Sequence, residues 1–501
     1  MNKFAFLLTI TTISVLSLGR FFMFFSENTT IGKDKSGLEK LIEEATTFDW
    51  DSIKVWPEKT TSKSKEDESE TTVNNDETSR EVTSIYNQET PTQLEGTTEE
   101  TTIQSETSTK ETIKPEELKL PAKFDYRKVG RCPKIKNQKQ SQTCWAHAST
   151  SALESSILPA EKKIFSAKDM ANYVKEIANP SEGGDNNYAM AYYLSWKGPV
   201  LKADENKSKP KVRKHVQSVQ LVKRKNRKGI KELLYKYGGV TASIYVGDID
   251  MQTKSKEYNP KKKAYYCSQN KDINHMILII GWNDDFSRKN FRDKPKKDGA
   301  FICVNSWGKS VGEKGVFYLS YYDKSLGKEF ACYTQVENAD NYDNLYESDK
   351  AGNLGYTRYK KVNTAYFSSV YRAKNNEKLK AIGFYTNNKN IKYEVYVNEK
   401  YVGKKSLFKK AKKDVSGNFK NTGYYTVKLN NAYSLKKGQE FCVTVKIKGK
   451  TGNTRIPIEQ KHKSMKVDLS DGKGFLSADG EYWESAKKEK CNICLKAYTT
   501  D

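Results

Sequence analysis

The 501-residue sequence is 36% apolar and 12% aromatic, enough for ordinary cores in two or three domains, which excludes a chain disordered throughout. Its formal charge of +25 is unevenly placed: residues 27–120 hold 23 acidic and 11 basic residues (net −12), and residues 121–501 hold 74 basic and 39 acidic (net +35). No recognised nucleic-acid motif accompanies the basic body, so nucleic acid is not expected as a partner; an anionic polymer or acidic surface fits the charge.

At the start, Lys3, the apolar run Phe4–Leu18, Gly19, Arg20 and Phe21–Phe25 have the charged beginning and short apolar centre of an export signal. Phe4–Phe25 is also long enough to span a bilayer with Arg20 snorkelling. Residues 1–26 therefore read as a cleaved signal peptide or a retained single-pass membrane anchor. Either way the bulk of the chain is expected to be extracellular, secreted or tethered at a cell surface.

Residues 27–117 are rich in Thr, Ser and Glu and bury too little apolar surface to offset the entropy of ordering, so a disordered stalk or pro-region is expected. Within it Leu38, Leu41, Ile42, Ala45 and Phe48 share one helical face, ahead of Trp50, Ile53, Val55 and Trp56. A docking pro-segment and a bland amphipathic stub both fit. The open stalk is expected to be trimmed before Leu120.

The segment Ile135-Lys-Asn-Gln138-Lys-Gln-Ser-Gln-Thr-Cys144-Trp145-Ala-His147-Ala, followed by apolar periodicity through Leu153 and Ile157, reads as a loop delivering a cysteine to the first turn of a buried helix. The positive end of the helix dipole and an adjacent imidazolium favour the thiolate, which is the nucleophile. An oxyanion formed on attack needs preorganised donors, and the Cys144 N–H with the Gln138 side-chain amide can supply two. A buried core cysteine after a polar loop is the bland alternative, disfavoured by the spacing of Gln138 to Cys144 and by Trp145.

Four histidines are candidates for the base. His215 and His462 stand among lysines and read as solvated surface residues, as does the basic stretch Lys207–Lys228, taken as a solvated insertion with a docking patch as the other reading. His275 opens the apolar run Asn274-His275-Met-Ile-Leu-Ile-Ile-Gly281-Trp282, a buried strand able to hold an imidazole across a cleft from Cys144. Asn305, in Phe301-Ile-Cys-Val-Asn305-Ser306-Trp307-Gly308, follows another buried strand and can orient the base, with Trp307 shielding their hydrogen bond from water. His147, three residues after Cys144, is the rival base.

The segments IKNQKQSQTCWAHA, INHMILIIGWNDD and CVNSWGKSVGEKGVFYLSYY resemble the cysteine, histidine and asparagine blocks of papain-like (C1-type) cysteine peptidases, in that family's order, over about Leu120–Tyr322. With LPAKFDYR, YNPKKKAYYC and DGAFICVNSWG the likeness narrows to bacterial surface peptidases that carry a lectin-like domain. The resemblance implies an α+β, two-lobed catalytic domain over 118–338, with a helical half led by Cys144 and a β-rich half carrying His275 and Asn305. It implies hydrolysis of a protein or peptide substrate through a thioester, with Cys144, His275, Asn305 and Gln138 catalytic and no metal or other cofactor. It also implies that Gly183 and Gly184, for which a plain turn is the other reading, bind the substrate main chain beside Trp307. Lys139 stands where the family usually has glycine, His147 where an aromatic is common, and Ser141 where many relatives have a disulfide cysteine.

From about Tyr342 the pattern changes to period two, as in Ile391, Tyr393, Val395 and Val397, again at Tyr425, Val427 and Leu429, and at Phe441, Val443, Val445 and Ile447. Residues 342–501 are expected to form an all-β sandwich, similar to the lectin-like domain of those peptidases and implying a cell-wall glycan or anionic polymer as ligand. The sandwich is expected to target the enzyme and to be dispensable for chemistry, so that a chain ending near residue 340 still cleaves a small peptide; a structural brace is the alternative. Of eight cysteines, at least one besides Cys144 must be unpaired, Cys303 and Cys442 read as core residues, and Cys491-Asn-Ile-Cys494 lacks the partners of a metal site. Two rival functions remain: a surface adhesin with an inactive peptidase domain, and a cysteine amidase acting on peptidoglycan.

Overall fold

The computed structural model describes residues 118–178, 183–247, 255–450, 452–470 and 472–501. The expected signal or anchor, stalk, amphipathic segment and trimming site lie outside the described residues.

Three helices follow the first loop: α1 (Cys144–Ile157), α2 (Ala167–Ile177) and α3 (Asn186–Leu194). In α1 the small residues Ala148, Ser149, Ser151, Ala152 and Ser155 are buried and let the helix pack closely on the sheet. Ser166 caps α2 by accepting the Asp169 N–H, and Asp185 caps α3 by accepting those of Asn187 and Tyr188. A fourth helix, α4 (Arg227–Lys236), begins at the cap Asn226.

The sheet that faces these helices contains β1 (Lys214–Lys223), β2 (Val240–Ile244), β3 (His275–Asn283), β4 (Ala300–Val304), β5 (Val316–Ser320) and β6 (Glu329–Asn338). They are ordered β1-β6-β2-β3-β4-β5, each pair antiparallel. β3 is buried at every residue but Asn283, as an apolar run covered on both faces must be.

The C-terminal part has β7 (Thr364–Arg372), β8 (Glu377–Thr386), β9 (Ile391–Asn398), β10 (Lys412–Phe419), β11 (Thr422–Leu435), β12 (Glu440–Lys448) and β13 (Leu495–Thr500). One layer runs β10-β9-β12-β7, and the facing layer contains β13-β8-β11. Between them lie Phe367, Ile382, Phe384, Val395, Val443, Val445 and Leu495, so the period-two residues do face a sandwich core. The fold is thus an α+β domain with a helical half and a β-rich half, followed by an all-β sandwich.

The two parts share one sheet. β11 pairs antiparallel with β1, Thr422 opposite Leu221 and Tyr425 opposite Ser218, so a 13-stranded sheet runs through both. Tyr385, Tyr424, Met465 and Cys494 belong to the same hydrophobic cluster as Trp145, Tyr193 and Tyr333. Lys496, 1% exposed, is paired with Glu347 and with Asp349 at 3.0 Å, and Glu347 also accepts from the Ser195 hydroxyl at the end of α3.

This corrects three sequence readings. Lys207–Lys228 is no solvated insertion, because β1 lies within the shared sheet and Lys214 is buried against Glu161 and Asn338. His215 is buried rather than solvated, stacked on Trp196 with ring centroids 3.9 Å apart and bonded to Asn341 Oδ1 at 2.6 Å. The sandwich is packed as a brace, since its strand and core residues complete those of the first domain. All eight cysteines, each among the described residues, are free thiols, with Cys303 and Cys442 buried in β4 and β12.

Candidate active site

Cys144 is the first residue of α1, and its N-cap Thr143 makes no capping bond. The Thr143 hydroxyl instead meets that of Ser141 at 2.6 Å, and no acidic residue lies in the first helical turn. The positive helix end is therefore left to act on the sulfur. A buried ion pair, Lys136 to Glu154 at 2.7 Å, ties the preceding loop to the body of the helix.

His275 begins β3 and Asn305 follows β4 directly. His275 Nε2 lies 2.9 Å from Asn305 Oδ1, which also accepts the Ser306 N–H at 2.7 Å. Because this oxygen can only accept, Nε2 carries the hydrogen and neutral His275 keeps its lone pair on Nδ1. Trp307 covers the pair, with its ring centroid 4.5 Å from that of His275.

The cysteine loop and the asparagine block are joined by a short ladder: Gln138 N–H donates to Ser306 O at 2.7 Å, and Gly308 N–H donates to Lys136 O at 3.0 Å. Gly308 has φ +83° and a Cβ there would approach Asn137 to 3.1 Å, so the close pairing requires glycine. The Gln138 amide is oriented from both ends. Its Oε1 accepts from the Ser306 hydroxyl at 2.5 Å, and its Nε2 donates to Ser141 O at 2.5 Å, leaving the amide's second N–H for another acceptor. Ser306 was legible in the Asn-Ser-Trp block but drew no role from sequence reasoning, because what it holds is 168 residues away.

Gln138, Cys144, Gly183, Gly184, His275 and Trp307 line one cleft of about 490 Å³. Asn305 stands behind the imidazole, buried. Gly184 packs against Trp145 and Tyr188, where a Cβ would come within 2.6 Å of either ring. Burial pushes the Cys144 thiol up, against the main-chain N–H groups of Met276, Trp145 and Cys144 itself. Burial likewise brings His275 down to about 4, against its bond to Asn305.

The rival base faces elsewhere. His147 bonds to the Thr143 carbonyl at 3.0 Å and borders a separate cavity of about 530 Å³ with Lys136, Lys168 and Lys202. Burial, with Lys136 and Lys202, brings it down to about 4 against its bond to the Thr143 carbonyl. Lys139 has φ +54°, the conformation for which glycine is the unstrained choice, so the departure from the family pattern keeps the turn at a cost of about 1 kcal/mol. His462, read as a surface histidine, is exposed but stands beside Gly183, Gly184 and Asp185.

The profile of the papain family cysteine proteases matches residues 120–336, and that of the lectin like domain matches residues 345–499. Mouse (Mus musculus) cathepsin K is 26% identical over 220 residues, covering 41% of this chain and 61% of its own length. Probable cysteine protease RD19B of Arabidopsis thaliana is 28% identical over 227 residues, covering 40% of this chain and 58% of its own. The chain thus spans about three fifths of the length of these curated relatives. The crystal structure of the cysteine protease and lectin-like domains of Cwp84, a surface layer associated protein of Clostridium difficile, superposes with a TM-score of 0.67 at 23% identity over 76% of this chain and 89% of that one. The chain therefore carries a papain-family cysteine protease domain, residues 120–336, followed by a lectin-like domain, residues 345–499.

Proposed function

We propose that the chain is an extracellular cysteine endopeptidase in which Cys144 is the nucleophile, His275 the base, Asn305 its orienter and Gln138 an oxyanion donor. The observation that carries this reading is the His275 Nε2–H bond to Asn305 beneath Trp307, in a cleft shared with a cysteine at an open helix N-terminus. Cys144 Sγ attacks the substrate carbonyl carbon as its proton passes to His275 Nδ1. The carbonyl oxygen, now an oxyanion, is bound by the Cys144 N–H and the second Gln138 amide N–H. Collapse breaks the C–N bond, the leaving amine takes the proton from His275, and water hydrolyses the thioester with the same residue as base. Main-chain groups of Gly183 and Gly184 hold the extended substrate, and Trp307 closes the side beyond the imidazole.

The sign of the pH dependence follows from the two shifts. A raised thiol and an imidazole at about 4 leave the pair with one proton between them over a wide range, whichever atom holds it. A second proton at low pH removes the base, and loss of the last proton at high pH removes the acid for the leaving amine. A bell-shaped kcat/KM is expected, with its acid limb at about pH 4 and its alkaline limb above the ordinary thiol range. Asn305→Ala withdraws the bond that supports the imidazolium, so it should move the acid limb lower and reduce kcat by roughly 10²-fold. Labelling by an active-site-directed epoxide, followed by peptide mapping, tests the nucleophile; a label distributed over other thiols, or an acid limb at about 6.5 as for a solvated histidine, overturns the assignment.

The lectin-like domain directs the enzyme to a cell surface through a glycan or anionic polymer. Support comes from the domain's family, from the surface-layer association of Cwp84 and from the basic surplus after residue 120. The Cys144→Ala chain is expected to be retained on purified cell-wall material and released as salt rises. Equal loss at low and high salt would remove the anionic contribution.

A further inference from the structure

Next to the catalytic cleft lies a second cavity of about 190 Å³ that shares Gly183, Gly184 and Asp185 with it. Its other walls come from both domains: Asn187 and Tyr188 at the start of α3, and Leu354, His462, Ser464 and Met465 from the C-terminal domain. The segment that carries His462 is fixed to the first domain at three points. The Tyr188 hydroxyl donates to Ser464 O at 3.2 Å, the Lys466 N–H donates to Ile177 O at 2.7 Å, and Met465 forms an antiparallel bridge with Ala178. His462 Nδ1 is in turn held by the Ser464 hydroxyl at 3.0 Å. A wall tied down in this way has the rigidity that discrimination between side chains requires.

We infer that this cavity is a side-chain subsite of the peptidase, and that His462 and Met465 of the lectin-like domain determine which substrate residue enters it. The inference rests on the cysteine peptidase reading and assigns the C-terminal domain a part in choosing the cleavage site. An extended peptide bound along Gly183 and Gly184 turns successive side chains to opposite sides, so a residue held there has one direction open towards the shared cavity. Neither glycine presents a side chain that would close that route. The volume holds one large side chain, flanked by the apolar surfaces of Leu354, Tyr188 and Met465. Asp185 Oδ1 accepts the Asn187 and Tyr188 N–H groups at 2.8 and 3.3 Å and its Oδ2 accepts the Asn187 side-chain amide at 3.3 Å, while the Ser464 hydroxyl is bonded to His462, so exposed His462 is the basic side chain at the rim. The favoured residue is apolar or aromatic, matched to the Leu354, Tyr188 and Met465 walls.

The test is cleavage of a positional-scanning peptide mixture by the full-length parent and by its His462→Asp and Met465→Ala variants. His462 is exposed, so its replacement leaves no core cavity, and thermal unfolding checks the Met465 variant. The parent should favour Leu, Phe or Tyr at one substrate position. His462→Asp should raise kcat/KM for Lys or Arg at that same position about tenfold relative to Leu, with the rate of Cys144 alkylation by a small thiol reagent unchanged. Met465→Ala should move the preference there towards larger side chains. Profiles within twofold of the parent at every position, with Cys144-dependent cleavage intact, overturn the subsite alone. A parent chain with no Cys144-dependent cleavage overturns the peptidase reading and the subsite with it.

Discussion

Cys144→Ala is expected to lower kcat/KM on a peptide substrate by at least about 10⁴-fold while the unfolding midpoint stays within a few degrees of the parent. The reason is geometric. Among the described cysteines, Cys144 is the one that lines the cleft with His275, whereas Cys303, Cys332, Cys442 and Cys491 are buried in strands, Cys494 is buried between two strands, Cys267 is buried against the Gln269 carbonyl and half-buried Cys132 turns to the Pro133 carbonyl. No neighbour can take over the attack. The substituted side chain is small and sits at a helix start, so packing is little changed. Stopped assays on an unfolded protein substrate read the loss, and a scanning melt reads the fold. Parental activity in the variant would overturn the nucleophile.

Ending the chain at residue 340 is expected to destroy the peptidase domain rather than release it. The cut removes β11 and leaves the ten-residue β1 as an open sheet edge, with unpaired N–H and C=O groups along the register from Ser218 to Leu221. It also uncovers the cluster that Tyr385, Tyr424 and Met465 complete, and each such large side chain stands for roughly 1.5–3 kcal/mol of burial. Three of them amount to roughly 5–9 kcal/mol, comparable to the whole stability of an ordinary domain. Insolubility, or a fall of at least about 10 °C in Tm together with lost cleavage, is the expected result. Lys496→Met in the full chain is the graded version: it leaves Glu347 and Asp349 without their buried cation and should cost about 3–5 kcal/mol. A soluble fragment that cleaves a small peptide at the parental rate would show that the shared core is unnecessary.

Some of this was determined by the sequence alone, and the reason is that it is local. A polar loop running into apolar periodicity places Cys144 at a helix start, an unbroken apolar run after His275 makes a buried strand, and alternation from Ile391 to Val397 makes a sandwich strand. The order of three such blocks carried the family resemblance, and the family carried the fold. Other features depend on which distant segments meet, and no short window of residues contains that. The nitrogen that His275 turns to Asn305 follows from the pairing of β3 with β4, and the setting of the Gln138 amide by Ser306 spans 168 residues. Lysines 207–228 looked solvated because charge dominates their composition, yet the alternate residues Val216, Ser218 and Gln220 run through a strand flanked on both sides. His462 looked like a surface residue because its neighbours are lysines. The Tyr188 to Ser464 bond, across 276 residues, and the Lys466 and Met465 contacts with Ile177 and Ala178 bring it to the cavity beside the cleft, since contacts of that span are made by tertiary packing and leave no periodicity in the chain.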